Sequence, residues 1–137
     1  MRQMTSLVRQ KGFTLIEVMI VLIVIAVLAA ISFPSYNESV RKSRRGQAQA
    51  DMAELAQNLE RWQTVNTTYA TYVVPARLQR SPQQGPIYYT IGVVPTATTF
   101  AITATPTNAH AGDKCGNLSL NQAGTKGVTS ESVGYCW

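Results

Sequence analysis

An apolar run of bilayer length near the amino terminus places the tightest limit on what this chain can fold into. Residues 13–33 are apolar except for Thr14, Glu17 and Ser32. At 1.5 Å per residue they form about 31 Å of helix, which matches a hydrocarbon core of roughly 30 Å. An acid inside a bilayer is energetically costly and is first interpreted as functional. The run therefore predicts a transmembrane helix with a functional group, Glu17, near its start.

A cleaved secretory signal is the alternative explanation, with a small-x-small cleavage site at residues 30–32. Its apolar region would exceed the usual length of about 7–15 residues and would contain an acid. Basic residues before the run orient the amino terminus toward the cytoplasm, and residues 35–137 then lie outside the inner membrane. Three cations precede the run: Arg2, Arg9 and Lys11. They supply three of the five net positive charges, so the high pI is weak evidence for a nucleic-acid partner.

Both cysteines of the chain, Cys115 and Cys136, fall in this exported part. An even number of cysteines in an oxidising compartment predicts one disulfide. On the loop-entropy model a closed segment of about 20 residues is stabilised by about 3–4 kcal/mol. The disulfide would also anchor the carboxyl terminus of a globular part whose core is small.

Helical character continues beyond the membrane segment. Pro34 lacks an N–H and is expected to kink the helix or open it locally. Apolar residues then recur at spacings of three and four, which is typical of an amphipathic helix: Ala48, Met52, Leu55, Ala56, Leu59 and Trp62. We predict one helix from about Phe13 to Gln63, with an amphipathic half at about 35–63 that packs on a small domain.

A basic run, Arg41-Lys42-Ser43-Arg44-Arg45, lies between the two halves. Anionic headgroups are its nearest expected partner, because it follows the membrane exit by one to two turns. Contact with headgroups or with another subunit is the favoured interpretation. A solvated helix face and a DNA contact are the alternatives, and charge alone does not separate them.

The second half of the chain shows strand patterns. Residues 66–69 end the helix, and Pro75, Pro82, Gly85 and Pro86 mark a predicted loop of about 15–20 residues. Alternating β-branched and aromatic residues predict strands at about 87–93 and 100–104, a third at about 118–120, and a turn at 124–127 before Val128. Three or more antiparallel strands packed on the amphipathic half-helix make an α+β domain.

The sequence contains no recognisable catalytic motif, and we expect no enzyme activity, cofactor or metal. Its single histidine, His110, lies in a Thr/Ala/Asn-rich segment. We predict that His110 is a solvent-exposed loop residue rather than a catalytic base.

Gly12 followed by Phe13-Thr14-Leu15-Ile16-Glu17 resembles the processing signature of type IV pilins and pseudopilins. The resemblance extends over the whole chain, because helix, loop, strands and a carboxyl-terminal cysteine pair follow in the family's order. It implies a leader at residues 1–12, an assembly half-helix at 13–34 and a globular domain at 35–137. It also implies that a prepilin peptidase cleaves after Gly12 and methylates Phe13, that Glu17 is needed for assembly, and that Pro34 is a hinge in filaments.

The physical chemistry of Glu17 agrees with that role. A cationic partner offsets much of the cost of a buried carboxylate. Cleavage exposes the α-amino group of Phe13, which is ordinarily protonated. We predict that Glu17 pairs with this amine on a neighbouring subunit and helps to set the axial register.

Several short stretches are similar to the PilE-type minor pilins, relatives of the ComP DNA-uptake pilin: 47–50, 66–69, 88–91, 115–120 and 136–137. The resemblance implies a minor pilin that assembles with major and minor pilins, the peptidase, an inner-membrane assembly platform and lipid. It also implies pilus roles in adhesion, twitching motility or DNA uptake. One alternative is a receptor for extracellular DNA, with candidate phosphate contacts at Arg77, Arg80, Lys114 and Lys126. The other alternative is a type II secretion pseudopilin.

Overall fold

The computed structural model describes residues 12–137, with every side chain in that range except that of Pro34. The predicted leader at residues 1–12 therefore lies outside the described residues, apart from Gly12. The chain divides into one unit that ends at Asn37 and a second unit, Glu38–Trp137. Helices and strands follow in this order: α1 (Leu15–Asn66), β1 (Arg80–Ser81), β2 (Tyr89–Pro95), β3 (Phe100–Pro106), β4 (Leu118–Asn121), β5 (Lys126–Val128) and α2 (Val133–Cys136).

Helix α1 begins directly after Thr14, whose hydroxyl oxygen accepts a hydrogen bond from the backbone N–H of Glu17 at 3.3 Å. This contact satisfies one of the donors that a helix start leaves free. The helix continues through Pro34 without a break. Of the two effects predicted for Pro34, the local opening is wrong for the single chain, because proline removes only one N–H donor, while the kink stays a prediction. The filament hinge at Pro34 stays a prediction.

The amphipathic face predicted for α1 is confirmed in the second unit. Ala48, Met52, Leu55 and Leu59 are fully buried against the sheet side of the core. Beyond this face the helix ends at Asn66, and Thr67 takes a left-handed conformation with φ 58°. The backbone N–H of Thr67 donates to the carbonyl of Gln63 at 2.7 Å and closes the last turn. The helix thus runs three residues beyond its predicted end.

The five strands form one antiparallel sheet in the order β1-β2-β3-β4-β5. Side chains alternate as expected for a sheet with one covered face. Tyr89 and Ile91 of β2 are buried while Thr90 and Gly92 are exposed, and the buried residues of β3 are Phe100, Ile102 and Ala104. The predicted α+β architecture is confirmed.

Three short elements were not predicted from the sequence: β1, α2 and β5, whose first two residues, Lys126 and Gly127, were expected in the turn at 124–127. Residues 75–86 were expected to be a loop, but they contain a 3₁₀ helix (Ala76–Gln79) followed by the two residues of β1. Arg80 pairs with Thr90, and Ser81 pairs with Tyr89. Two residues are too few to show an alternating pattern, so this edge strand depends on its neighbour for recognition.

The disulfide between Cys115 and Cys136 is present, with a Cα–Cα distance of 5.9 Å. Both cysteines are buried. The bond joins α2, at the end of the chain, to the segment that precedes β4. The predicted anchoring of the carboxyl terminus is therefore confirmed.

Candidate assembly site and charged clusters

The Gly12–Phe13 peptide bond precedes α1 and lies outside any helix or strand. Among the described residues beyond its neighbour Phe13, no atom lies within 4 Å of a Cβ placed on Gly12, and the Phe13 side chain is 84% exposed. The bond is thus sterically open on the described side. This geometry is compatible with cleavage by a peptidase.

Glu17 lies in the first turn of α1, where a negative charge interacts favourably with the helix dipole. Its carboxylate makes no hydrogen bond or ion pair with any residue in the described range 12–137. Glu17 lines a shallow apolar cleft together with Phe13, Val18 and Val21. A carboxylate on such a surface requires a partner from another molecule once water is excluded.

The apolar surface around Glu17 extends along the whole first unit. Every large apolar side chain from Phe13 to Phe33 is between 48% and 84% exposed. Helix α1 contains a segment that is long and apolar enough to cross a membrane, by length and composition. A helix that is apolar on all sides requires lipid or other apolar helices around it.

The basic run at residues 41–45 belongs to the second unit, and its arginines contact other residues of that unit. Arg45 is 1% exposed, forms an ion pair with Asp113, and lies 3.6 Å from Glu38 Oε1. The guanidinium of Arg44 lies 3.8 Å from the ring centre of Tyr88, a cation–π geometry. The prediction that the basic run contacts headgroups is therefore wrong for Arg45, because acids of the same unit neutralise its charge.

His110 is buried, so its predicted exposure is wrong. It is 2% exposed and lies at the end of a short 3₁₀ helix (Asn108–His110). Its ring centre is 5.0 Å from that of Tyr89, and its Nε2 atom is 3.8 Å from Asp113 Oδ2. Burial lowers the pKa of His110 below its ordinary value. The residues around His110 lack apolar periodicity, so the sequence contains no signal of this burial.

Two of the four candidate DNA contacts, Arg77 and Arg80, lie together at the β1 edge. Arg77 Nη1 is 2.6 Å from Glu54 Oε1 and donates to Gln83 Oε1 at 2.9 Å, while Arg80 donates to the Gln83 backbone carbonyl at 2.8 Å. Hydrogen bonds from Arg77 and then Gln83 lower the pKa of the Glu54 carboxyl. Glu54 therefore already partly neutralises Arg77, while Arg80 donates to a backbone carbonyl.

The other two candidates lie elsewhere. Lys126 is in β5, at the opposite edge of the sheet from β1, with Nζ 5.1 Å from the Trp137 ring centre. Lys114 is exposed in the segment before β4. The hydrogen bond from Tyr135 lowers the pKa of Glu38 most, and the charge of Lys114 lowers it further. The structure thus does not bring the four cations into one cluster.

Two family models match adjacent parts of the sequence. The prokaryotic N-terminal methylation motif matches residues 7–33. The model described as "Type IV minor pilin ComP, DNA uptake sequence receptor" matches residues 34–119. The chain belongs to this family of type IV minor pilins. Membership confirms the resemblance read from residues 12–17.

Solved structures agree with this assignment. A type IV pilin from Shewanella oneidensis is 31% identical to this pilin, with a TM-score of 0.55; the match covers 71% of this chain and 97% of the other. The non-core minor pilin PilV of Neisseria meningitidis shares the fold at 20% identity and a TM-score of 0.55, covering 69% of this chain and 92% of PilV. No curated protein sequence matches closely enough to add to these comparisons.

Pilins are structural subunits, and the candidate sites of this pilin have the corresponding chemistry. In residues 12–137 no three side chains of His, Cys, Asp or Glu come together in a group that would hold a metal ion. The charged clusters connect helix to sheet or to loop, whereas Glu17, the charged side chain among the described residues 12–37 of the first unit, makes no hydrogen bond or ion pair with a described residue. Glu17 and the Gly12–Phe13 bond are therefore the candidate assembly site.

Proposed function

We propose that this pilin is a minor structural subunit of a type IV pilus, made as a membrane-anchored precursor and incorporated after processing. The observation that carries the proposal is the Glu17 carboxylate in the first turn of an apolar helix, four residues beyond Phe13 and a Gly12–Phe13 bond that lies outside that helix. In the precursor the amino terminus is cytoplasmic and residues 35–137 are periplasmic. After assembly the globular unit is at the cell surface.

The first step of this proposal is processing by a prepilin peptidase, which cleaves after Gly12 and methylates the amine of Phe13. Support comes from the match of residues 7–33 to the methylation motif and from the open geometry at Gly12. Mass spectrometry of the mature protein should find N-methylated Phe13 as the first residue. Any other first residue contradicts the cleavage site.

The second step is pairing between subunits. The amine of Phe13 carries a positive charge after cleavage, and Glu17 has no partner among the described residues of its own chain. As apolar helices pack side by side, the pair neutralises both charges in a medium of low dielectric constant. The paired charges then favour one axial offset between neighbouring helices over others.

Substitution Glu17→Gln tests the pairing, because it removes the charge and nearly preserves side-chain shape. We expect normal membrane insertion, since an apolar segment becomes less polar, and at least a tenfold loss of subunit from sheared pili. Glu131→Gln is the matched control, because Glu131 is an exposed carboxylate of the second unit. Equal incorporation of the two variants would contradict the pairing.

Assembly requires further partners, which we propose to be major and minor pilins, the inner-membrane assembly platform and membrane lipid. The match to a minor pilin model favours a pilus over a type II secretion pseudopilus. Adhesion, twitching motility and DNA uptake are functions of the assembled pilus. The abundance of this subunit in sheared pili distinguishes a minor from a major pilin.

A receptor for extracellular DNA is the second candidate function, favoured by the match of residues 34–119 to a model described as a DNA uptake sequence receptor. Of the four candidate cations, Lys114 and Lys126 are exposed and are not paired with an acid by a hydrogen bond or ion pair within the described residues. Arg77 would have to exchange Glu54 for phosphate. Lys114 and Lys126 are therefore the better phosphate contacts.

Filter binding of the full chain in detergent micelles over a salt series tests this candidate. If the pilin is a receptor, Lys114→Ala and Lys126→Ala should each weaken binding and reduce the slope of log K against log salt by about 1. Arg61→Ala is the control, because Arg61 is exposed on α1 outside both the basic run and the candidate set. Equal effects of all three variants would indicate nonspecific attraction, and preference for one DNA sequence would support a receptor.

A further inference from the structure

Residues 107–116, here called the His110 segment, connect β3 to β4 and are held against α1 by polar contacts. Arg45 forms its buried ion pair with Asp113, and Arg41 Nη1 donates to the Ala111 carbonyl at 3.5 Å. On the sheet side, the Thr107 hydroxyl donates to the Ile87 carbonyl at 2.7 Å. The attachment to α1 therefore depends mainly on Asp113.

Both oxygens of the Asp113 carboxylate are already used. Oδ1 is bound by Arg45, and Oδ2 accepts a hydrogen bond from the Tyr89 hydroxyl at 2.7 Å. His110 Nε2 is 3.8 Å from Oδ2, beyond hydrogen-bond distance, and makes no hydrogen bond within the described residues. The imidazole is thus enclosed beside the carboxylate without forming a hydrogen bond to it.

The charges that face His110 are predominantly positive. Asp113 is the anion of its own segment, and Glu38 lies behind Arg45 at 3.6 Å. The cations all come from α1 and act on the imidazole electrostatically: Arg41, Arg44 and Arg45. The ring also faces two tyrosines, Tyr88 directly before β2 with a centre-to-centre distance of 6.1 Å and Tyr89 in β2 at 5.0 Å. A protonated His110 would be a fourth cation in this enclosure, facing a carboxylate that is already occupied.

We propose that the His110 segment is an acid-sensitive latch, in which protonation of His110 releases residues 107–116 from α1. The disulfide at Cys115 and the pairing of β3 with β4 keep the two ends of the segment in place. Release uncovers Arg41 and Arg45 to solvent, and it gives the imidazolium the hydration that the buried site denies it. The same contacts re-form when the proton is lost.

The direction of the pH effect follows from burial. Burial lowers the pKa of His110 most, the three arginines lower it further, and Asp113 opposes them. In the released segment the pKa returns to about 6.5, so the released form binds the proton more tightly. The stability of the closed form is therefore complete above pH 6.5 and is lost as the pH falls toward the lower pKa of the closed form. In that window the released fraction rises by up to about tenfold per pH unit.

His110 is the only histidine in the sequence, which makes the test specific. Ordinary carboxyl groups titrate near pH 4 and the α-amino group near pH 8. Amide hydrogen exchange of the full chain in detergent micelles, followed by mass spectrometry at pH 7 and pH 5 and corrected for intrinsic exchange rates, should show lost protection in residues 107–116. Protection in β2 and β3 should be unchanged.

His110→Phe keeps the ring contacts with Tyr89 but has no proton to gain, so its exchange should not depend on pH in this range. NMR titration of the single imidazole in the unmodified chain gives an independent measurement if that variant does not fold. We expect a midpoint below pH 6.5. A midpoint at or above 6.5, unchanged exchange in residues 107–116, or equal loss of protection in β2 and β3 would each overturn the latch.

Discussion

At the residue scale, Arg45 and Asp113 form the centre of the polar contacts inside the second unit. Arg45 comes from α1 and Asp113 from the segment before β4, and both side chains are almost completely buried. Tyr89 adds a hydrogen bond to the same carboxylate, and burial raises the pKa of its hydroxyl. A buried pair is sensitive to the loss of either partner, because the remaining charge has no hydration. The exposed pair of Arg77 and Glu54 lacks this sensitivity.

Substitution Arg45→Met should destabilise the second unit by about 3–5 kcal/mol, because it leaves the Asp113 carboxylate buried without a cation. Urea unfolding in detergent micelles measures the change. The double variant Arg45→Met with Asp113→Asn should cost less than the sum of the single changes, because the uncompensated charge is gone. Lys42→Met, an exposed cation on the same helix, should change stability by less than about 0.5 kcal/mol. Equal effects of Arg45→Met and Lys42→Met would contradict the role of the pair.

At the element scale, α2 is a single turn that depends on other elements for its position. Cys136 connects it covalently to Cys115, and the Tyr135 hydroxyl donates to Glu38 Oε1 at 2.8 Å. The indole N–H of Trp137 donates to the Gly127 carbonyl at 3.1 Å. A helix of four residues is not stable alone. The disulfide and these hydrogen bonds therefore determine the position of α2 against the rest of the second unit.

Replacing both cysteines by serine should lower the free energy of unfolding by about 3 kcal/mol, given a sequence separation of 21 residues. The reason is the larger conformational freedom of the unfolded chain without the crosslink. Denaturant unfolding with and without a reducing agent measures this, and reduction should have no effect on the double variant. An unchanged midpoint after confirmed reduction of the unmodified pilin would contradict the estimate.

Elements with a clear period were predictable from the sequence, and short ones were not. The amphipathic face of α1 through Met52 and Leu55 and the alternation in β2 and β3 follow from spacing alone. Strand β1 has two residues and appears only by pairing with β2. The formation of β1 therefore depends on pairing with β2, which the residues of β1 alone do not reveal.

At the scale of the whole molecule, the two units have different stabilising interactions. The buried residues of the described chain all lie at Arg45 or beyond, while the first unit exposes its large apolar side chains. The second unit is stabilised by its own core, and the first requires lipid or neighbouring subunits. The buried core and the exposed apolar surface thus lie in separate parts of the sequence.

A fragment of residues 38–137 should therefore fold without detergent, and its thermal midpoint should match that of the full chain in micelles within about 4 °C, a difference below about 1 kcal/mol. Circular dichroism measures both. A fragment of residues 47–137 is the control, because it loses Arg41 and Arg45 and should melt at a clearly lower temperature. A large drop for the 38–137 fragment would show that the first unit contributes to the core.

The sequence by itself determined the apolar helix of membrane length, its lone acid, the amphipathic continuation and the crosslinked end, because spacing, hydropathy and residue type are local properties. Only the tertiary structure decided what the basic run and His110 contact. Arg45 and its partner Asp113 are 68 residues apart along the chain, so no local pattern relates them. A charge and its type can be read from the sequence, but its burial and its partner depend on how helix and sheet pack together.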